Sequence, residues 1–549
     1  MSGPTTLTGL VARSADEIDS RVHPAGGLRR QIDKVFPTHW SFLLGELNIY
    51  SFIVLLVSGT WLAIFYDPSM TETTYTGIYA PLQGVDVSQA FRSTVDISME
   101  VRGGLLIRQI HHWAANLFIA SMIAHMLRTF FTGAFRRPRE FNWLLGVVLL
   151  LTGMIEGFIG YSMPDDLLSG TGLRTGLSSI VLSVPVVGTW VHFAIFGSEY
   201  PGTIVIPRLY IVHVFILPGV LLATIAVHVA LVWFQKHTQF PGPARTERNV
   251  VGVRILPEFA MKAAGFTVVA TGVMALLGGL FQINPVFKYG PYDPTKVSSG
   301  SQPDWYMGIF DGAVRLWPSW EIYLGDRYMI PAIFFPALLG VGSLIALLAF
   351  YPLIERLLTK DTAHHNLLQR PRDTPARTAV GMVALTFYFW LLVACGNDII
   401  GYTFNISLNA MTWAGRIGLL VLPPLVYVAT YRICLGLQRA DREVLEHGIE
   451  TGHVRRLPHG EFVEVHQPLG GVDRDGHPVT LAYQGSKLPK RMNDVGAAGG
   501  AVKGGWFRPD PADEQDDTGR GGDPLQVEPS EDRELAGRPT DGRPRDLRE

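Results

Sequence analysis

The sequence predicts an all-α integral membrane protein of eight transmembrane helices, the first four forming a four-helix bundle. Three observations carry this. Only 17% of the 549 residues are charged, against roughly a quarter in a soluble domain. Apolar runs near the ~20 residues needed to cross a bilayer recur along the chain. Lys and Arg collect in alternate connections between those runs, as expected of loops on one side of a membrane. The net charge of -2 offers no basic field for holding nucleic acid. The two cysteines, Cys395 and Cys434, allow neither a disulfide framework nor a four-thiolate iron–sulfur site.

Taken in order, the first run covers residues 42–66 and follows Arg29, Arg30 and Lys34. The second, 105–131, ends before Arg136, Arg137 and Arg139, and the third, 141–162, begins just after them. The fourth, 207–234, and the fifth, 263–283, flank Arg245, Arg248 and Arg254. The sixth, 329–349, and the seventh, 380–395, flank Arg356, Lys360, Arg370, Arg372 and Arg377, and the eighth, 417–434, ends near Arg432, Arg439 and Arg442. The positive-inside rule then places both termini in the cytoplasm. The N-terminal stretch is too polar for a signal-peptide core, so the first run is expected to be retained as structure.

The connections on the other side carry Asp67, Asp86, Asp96, Asp165, Asp166 and Asp304. Two of them, residues 163–206 and 284–328, are long and dotted with Trp, Pro and Gly. Loops of that length are uncommon unless functional, so the outer face is where a substrate site is expected. The division expected is an N-terminal cytoplasmic segment (1–41), the bundle (42–240), a second four-helix region with an outer site loop (241–437) and a cytoplasmic tail (438–549). Beyond about residue 495 the tail is rich in Gly, Pro, Asp and Arg, which predicts disorder.

Polar side chains are expensive inside a membrane and default to function. Here the second span carries His111, His112 and His125, and the fourth His213 and His228. His111 and His125 are fourteen residues apart, a residual rotation of roughly 40° and a rise of about 21 Å, so they share a face at two depths. His112 is thirteen before His125, roughly 140° away, and points elsewhere. His213 and His228 are fifteen apart, leaving about 60°, still broadly one face. The two spans run in the same direction, so the histidines pair at matched depth, His111 with His213 outside and His125 with His228 inside. A single buried His more often hydrogen-bonds a neighbouring helix, but four in this register suit two planar haems with two axial imidazoles each. Ligand pairs about 21 Å apart exclude one shared zinc ion. The chain has no C-x-x-C-H, so the haems are expected to be non-covalent.

Glycines repeat the interval. Gly45 and Gly59 in the first span, and Gly146 and Gly160 in the third, are also fourteen apart. Small residues serve ordinary helix packing, and they equally let the edge of a flat macrocycle approach a backbone. Arg108 and Arg128 flank the histidines of the second span, where they can pair with haem propionates.

With these residues in place the chain resembles the cytochrome b subunit of cytochrome bc complexes over roughly residues 29–437. The motifs are W-S-F at 40–42, R-Q-I-H at 108–111, N-W-L-L-G at 142–146, G-Y-S-M-P at 160–164, S-V-P-V-V-G-T at 183–189, P-R-L-Y-I-V-H at 207–213 and Q-P-D-W-Y at 302–306. The last is similar to the family's Pro-Glu-Trp-Tyr quinol motif, with Asp304 in the Glu position. The fifteen-residue His spacing is like the chloroplast-type branch, whereas eight spans in one chain are like the mitochondrial type. Together with the long tail, the mixture resembles the actinobacterial version.

The resemblance implies a quinol–cytochrome c reductase subunit in a bacterial plasma membrane, carrying two haem b groups and using menaquinol in a proton-translocating Q cycle. It also implies a Rieske iron–sulfur subunit, a di-haem cytochrome c, a terminal oxidase in a supercomplex and a homodimer of the complex. Asp304 is the expected proton acceptor and Tyr306 its neighbour, with Pro303, Trp305, Phe158, Tyr161, Met163 and Gly172 lining the outer site. Glu46, Lys236, His237 and Lys262 are expected at an inner quinone site. The acidic residue of mitochondrial relatives near the start of the fifth helix is not evident in F-A-M-K-A. Two alternatives share the paired histidines: a di-haem anchor of a quinone-linked dehydrogenase, which would lack Pro303 to Tyr306, and a proton-coupled transporter relaying through buried His, which would hold no haem.

Haem extraction separates them. Two non-covalent b haems per chain are expected in a reduced-minus-oxidised spectrum, with His111→Ala and His228→Ala each losing a different one; a chain without haem returns the histidines to the transporter.

Overall fold

The computed structural model describes residues 33–198, 202–242, 244–296, 302–326, 328–471, 473–477, 479–485, 488, 491–492 and 498–499. Among these, eight helices are long and apolar enough to cross a membrane: α1 (Trp40–Phe65), α2 (Gly104–Phe131), α3 (Glu140–Ser162), α4 (Val205–Gln235), α5 (Ile255–Leu280), α6 (Phe335–Thr359), α7 (Pro375–Cys395) and α8 (Leu408–His447).

The first four follow the expected spans closely; the later ones move. The fifth was placed eight residues late, because polar residues at the membrane surface hide a helix start from hydropathy. Leu256 is extended (φ -116, ψ 134), as a residue before proline prefers, so the regular turns begin at Pro257 with Glu258 in the first turn. An acidic residue therefore does stand at the start of α5, contrary to the sequence reading. The sixth was placed six residues early, since Ile322–Leu324 and Tyr328–Ile330 form an antiparallel hairpin. α6 then continues to Thr359, past Pro352. α7 begins at Pro375, where the missing N–H costs nothing. α8 is 40 residues long, about 60 Å, twice the hydrocarbon thickness.

α1 runs along α2 and α3 along α4, α2 also touches α3, and α1 meets α4 at Val212–Ile216, which closes the bundle. Its core is one apolar cluster of Phe52, Phe118, Ile119, Met122, Leu149, Met154, Leu221 and Tyr306. On each of the four helices the contributing positions fall between the two expected cofactor levels, so this cluster is the partition between them. α5 packs on α1 and α2, α6 on α3, and α7 on α2.

α4 is not a uniform α-helix. Val212–Ile216 forms a π-turn closed by the Leu217 N–H on the Val212 carbonyl, five residues back. Pro218 follows directly and has no N–H to give the Val214 carbonyl, which explains where the turn sits. A π-turn takes up one residue more than an α-turn. The fifteen residues from His213 to His228 therefore advance like the fourteen on α2, and the roughly 60° offset of the sequence reading shrinks.

The long outer loops are ordered by buried polar contacts. Arg174 pairs with Asp165 at 2.7 Å, with 4% and 7% of the two side chains exposed, and its guanidinium lies 3.9 Å from the Tyr292 ring. Asp166 caps Leu167–Thr171 through the Leu168 and Ser169 N–H groups. Leu167 N–H donates to the Gly290 carbonyl and Tyr292 N–H to the Asp165 carbonyl, which ties the two loops together.

Ala440–Tyr483 belongs to a second compact unit, in which Ile449–Arg456 pairs antiparallel with Phe462–Gln467. The tail thus begins with a folded segment, ahead of the stretch for which disorder is expected. The expected disorder beyond 495 lies outside the described residues, save 498–499, as does most of the N-terminal segment.

Breaking a buried pair strands a charge. Arg174→Ala is expected to cost about 3–5 kcal/mol, read as a lower unfolding midpoint and faster proteolysis of the 163–206 loop; an unchanged midpoint would show that the pair carries no stability.

Candidate functional site

Each of the four glycines faces one of the four histidines. A Cβ on Gly59 would lie 3.0 Å from His111 Cε1, on Gly160 2.5 Å from His213 Cε1, on Gly45 3.2 Å from His125 Cε1, and on Gly146 3.9 Å from His228 Cε1. The His111 and His213 rings stand 6.3 Å apart, centre to centre, at 75°, which leaves room for a metal bonded to a nitrogen of each at about 2 Å. Their Nδ1 atoms are engaged elsewhere, His111 with Ser58 Oγ at 2.9 Å and His213 with the Glu156 carbonyl at 3.1 Å. That leaves Nε2 of each as the ligand atom, oriented from behind as metal-bound imidazoles are.

The arginines fit propionates. Arg108 donates to Ser98 Oγ at 3.1 Å and the Asn284 carbonyl at 3.3 Å, while its Nη2 is buried without a hydrogen-bond partner. Arg128 lies 4.3 Å over the Phe42 ring, with Nε and Nη2 likewise buried and unsatisfied, as is His125 Nδ1. Buried cationic donors without acceptors are costly, and a carboxylate at each level relieves this. The residues present fit two haems.

One cavity of about 220 Å³ joins the outer pair to the loop motif: its lining includes Gly59, His111, Gly160 and His213, and also Tyr161, Met163, Asp304 and Tyr306. Asp304 is held between two groups. Tyr306 donates its hydroxyl to Oδ2 at 3.0 Å, and His112 Nε2 lies 3.2 Å from the same oxygen. Burial pushes the Tyr306 phenol well above its usual range, Asp304 adding to the effect. Gly157 makes this possible, since any Cβ there would meet the Tyr306 hydroxyl. At the loop junction, burial raises the Asp166 carboxyl to about 6 against four hydrogen bonds that pull it down.

Not every expected lining residue reaches the cavity. Phe158 packs under the outer loop with Ile159 and Leu173. Gly172 opens a π-turn with no neighbour within 4 Å of a built Cβ. Trp305 turns away and donates to Asn116 Oδ1 at 2.8 Å, and Pro303 is outside the lining. Sequence reasoning missed His112, Glu156 and Gly157. The rotation that set His112 aside as a ligand is what aims it at Asp304, and the signal for Gly157 was a second glycine three residues before Gly160.

At the inner level the expected set divides. His237 stacks edge-on to Phe42 at 4.4 Å, and burial lowers it to about 4, keeping it neutral. Glu46 accepts from the Tyr50 hydroxyl at 2.9 Å. Lys236, by contrast, donates to the Arg248 carbonyl at 3.1 Å, and Lys262 is exposed on α5.

Residues 116–291 match the family model described as cytochrome b (N-terminal)/b6/petB. The cytochrome bc1 complex cytochrome b subunit of Mycobacterium tuberculosis H37Rv is 58% identical over 511 residues, covering 93% of both chains. That of Corynebacterium diphtheriae is 59% identical over 504 residues, covering 92% of this chain and 93% of the relative, and that of Streptomyces coelicolor 50% identical over 484 residues, covering 88% of each. A chain of a hyperthermophilic respiratory Complex III has the same fold, with a TM-score of 0.54 at 21% identity over 76% of this chain and 99% of that one. These likenesses run against both the dehydrogenase-anchor and the transporter alternatives.

The unequal glycine clearances make a graded test. Gly160→Ala is expected to lose the outer haem and keep the inner, whereas Gly146→Ala, with ordinary contact distance, keeps both; pyridine haemochrome counts of one and two per chain respectively check it, and the reverse order would undo the assignment of glycines to levels.

Proposed function

From the premise that the chain belongs to the cytochrome b subunits of cytochrome bc1 complexes, and so is a component of a quinol–cytochrome c oxidoreductase, we propose that it oxidises menaquinol beside the outer histidine pair and reduces quinone near the inner one. His111 with His213, and His125 with His228, would hold two haem b groups, which would supply one-electron chemistry at the two levels, while a Rieske protein takes the other electron of each quinol. Protons leave outside and are taken up inside, as a Q cycle requires.

The observation that carries the reading is Asp304, bridging His112 and Tyr306 in the cavity that also reaches His111 and His213. A quinol hydroxyl must lose its proton as its electron leaves, and a carboxylate in hydrogen-bond reach is suited to take it. Tyr306, its phenol held protonated, donates to Asp304 and fixes the carboxylate's orientation. His112 Nε2 stands against the same oxygen from the other side and holds the carboxylate in place. Asp304 is one methylene shorter than the family's Glu, and its contacts with His112 and Tyr306 fix where its oxygen sits. Near the inner face, His237 is a neutral hydrogen-bonding group beside Phe42, and Glu46 with Tyr50 a candidate proton carrier.

We further propose the partners of a Rieske subunit, a di-haem cytochrome c and a terminal oxidase, a dimeric complex, and a plasma-membrane setting with both termini cytoplasmic. The basic groups grouped on one side of the spans support that orientation.

Loss of a general base costs roughly 10²–10⁴ in rate. Asp304→Asn in the assembled complex is expected to lower menaquinol oxidation at least about 100-fold with both haems retained and dithionite-reducible, and His112→Gln to lower it less; wild-type turnover in Asp304→Asn would remove Asp304 from the reaction.

A further inference from the structure

Tyr306 and His112 fix the Asp304 carboxylate, but the backbone must first bring that side chain to them. Gln302 stands two residues earlier, with only Pro303 between. Proline fixes its own φ and confines the residue before it to extended backbone, so little freedom separates where Gln302 sits from where Asp304 points. Gln302 is held at two points. Its carbonyl accepts from the Tyr161 hydroxyl at 3.2 Å, and its side-chain amide donates to Asp398 Oδ1 at 2.6 Å, from 96 positions away in the chain.

Asp398, between α7 and α8, is itself fixed. Its other oxygen lies 3.1 Å from Arg315 Nη1, with 20% of the Arg315 and 14% of the Asp398 side chain exposed. Arg315 also pairs with Asp311 at 2.9 Å and donates to Asn397 Oδ1 at 3.0 Å. Burial works against the Arg315 charge, and Asp311 and Asp398 outweigh it and raise the guanidinium above its ordinary range. The helix Gly308–Leu316 that carries Arg315 is pressed onto α7: a Cβ on Gly308 would lie 2.8 Å from Leu392 Cδ1, and one on Gly312 would meet the Leu391 carbonyl. The ion pair therefore has a rigid base, and the amide of Gln302 carries that rigidity to the loop. Asp398 stays outside the lining of the cavity.

We propose that Asp398, fixed by Arg315, is a positioning residue for the proton acceptor Asp304 and acts through the side chain of Gln302. The proposal rests on the reading of Asp304 above and extends the outer site to the connection between α7 and α8.

A double-mutant cycle in the assembled complex tests it. Displacing a reacting group by about 1 Å costs up to roughly 100-fold in rate. Asp398→Ala is expected to lower kcat for menaquinol oxidation about 10- to 100-fold with KM nearly unchanged and both haems dithionite-reducible. Asp398→Asn, which keeps an acceptor for Gln302, falls between that variant and wild type. In an Asp304→Asn background no acceptor is left to place, so Asp398→Ala adds less than about twofold, since residues of one network are not additive. Should Asp398→Ala not retain both haems, Gln302→Ala, which leaves the Arg315–Asp398 pair intact, carries the same cycle. Wild-type turnover in the single variant, or the same fold-loss in both backgrounds, overturns the proposal. Wild-type turnover in Asp304→Asn alone would instead overturn the reading of Asp304 beneath it.

Discussion

The structure depends on one register: imidazoles on α2 and α4, and side-chain-free positions on α1 and α3, held at the same two depths of one bundle. A rigid planar cofactor is about as intolerant of displacement as a close-packed core, so a turn's slip on any of the four helices would put a side chain where a ring edge belongs. The π-turn at Val212–Ile216 shows how strong that demand is. α4 carries one residue too many between its histidines, and the helix absorbs it beside Pro218, at the outer ligand itself. Such local departures from α geometry are frequent at functional sites, and here the geometric need is explicit.

The same register organises what lies between and around the levels. An apolar layer from Phe52 to Leu221 separates them. Tyr306 is part of that layer although it belongs to the outer loop, so the loop bearing Asp304 is anchored in the bundle core and cannot drift from the outer pair. The Arg174–Asp165 pair and the backbone bonds from Leu167 and Tyr292 hold the two outer loops to each other. The proposed quinol chemistry thus sits on a loop, as site chemistry often does, but on a loop fixed at both ends.

Much of this was legible in one sequence because membranes simplify the problem. Hydrocarbon allows only helices of fixed length and makes buried polar residues rare, so spans and His pairs stand out against an apolar background. Helix ends were less legible, because they lie at the polar interface where hydropathy falls before the helix does. That is how Glu258 at the start of α5 was overlooked and how α8 was drawn less than half its length. Of the residues expected around the outer site, Tyr161 and Met163 border the cavity, while Phe158 and Gly172 belong to the loop above it.

By itself the sequence determined the number of spans and singled out the two expected histidine pairs, the companion glycines and the Asp304 motif, since all of these follow from helical periodicity and residue type. Only the tertiary structure decided which groups surround Asp304 and the ligands. His112 meets Asp304 from 192 positions away, Gly157 admits Tyr306, and Glu156 lies behind His213 across a helix interface. Those contacts join residues distant in the chain, and the angle at which two packed helices present them is set by the packing, which no local spacing encodes.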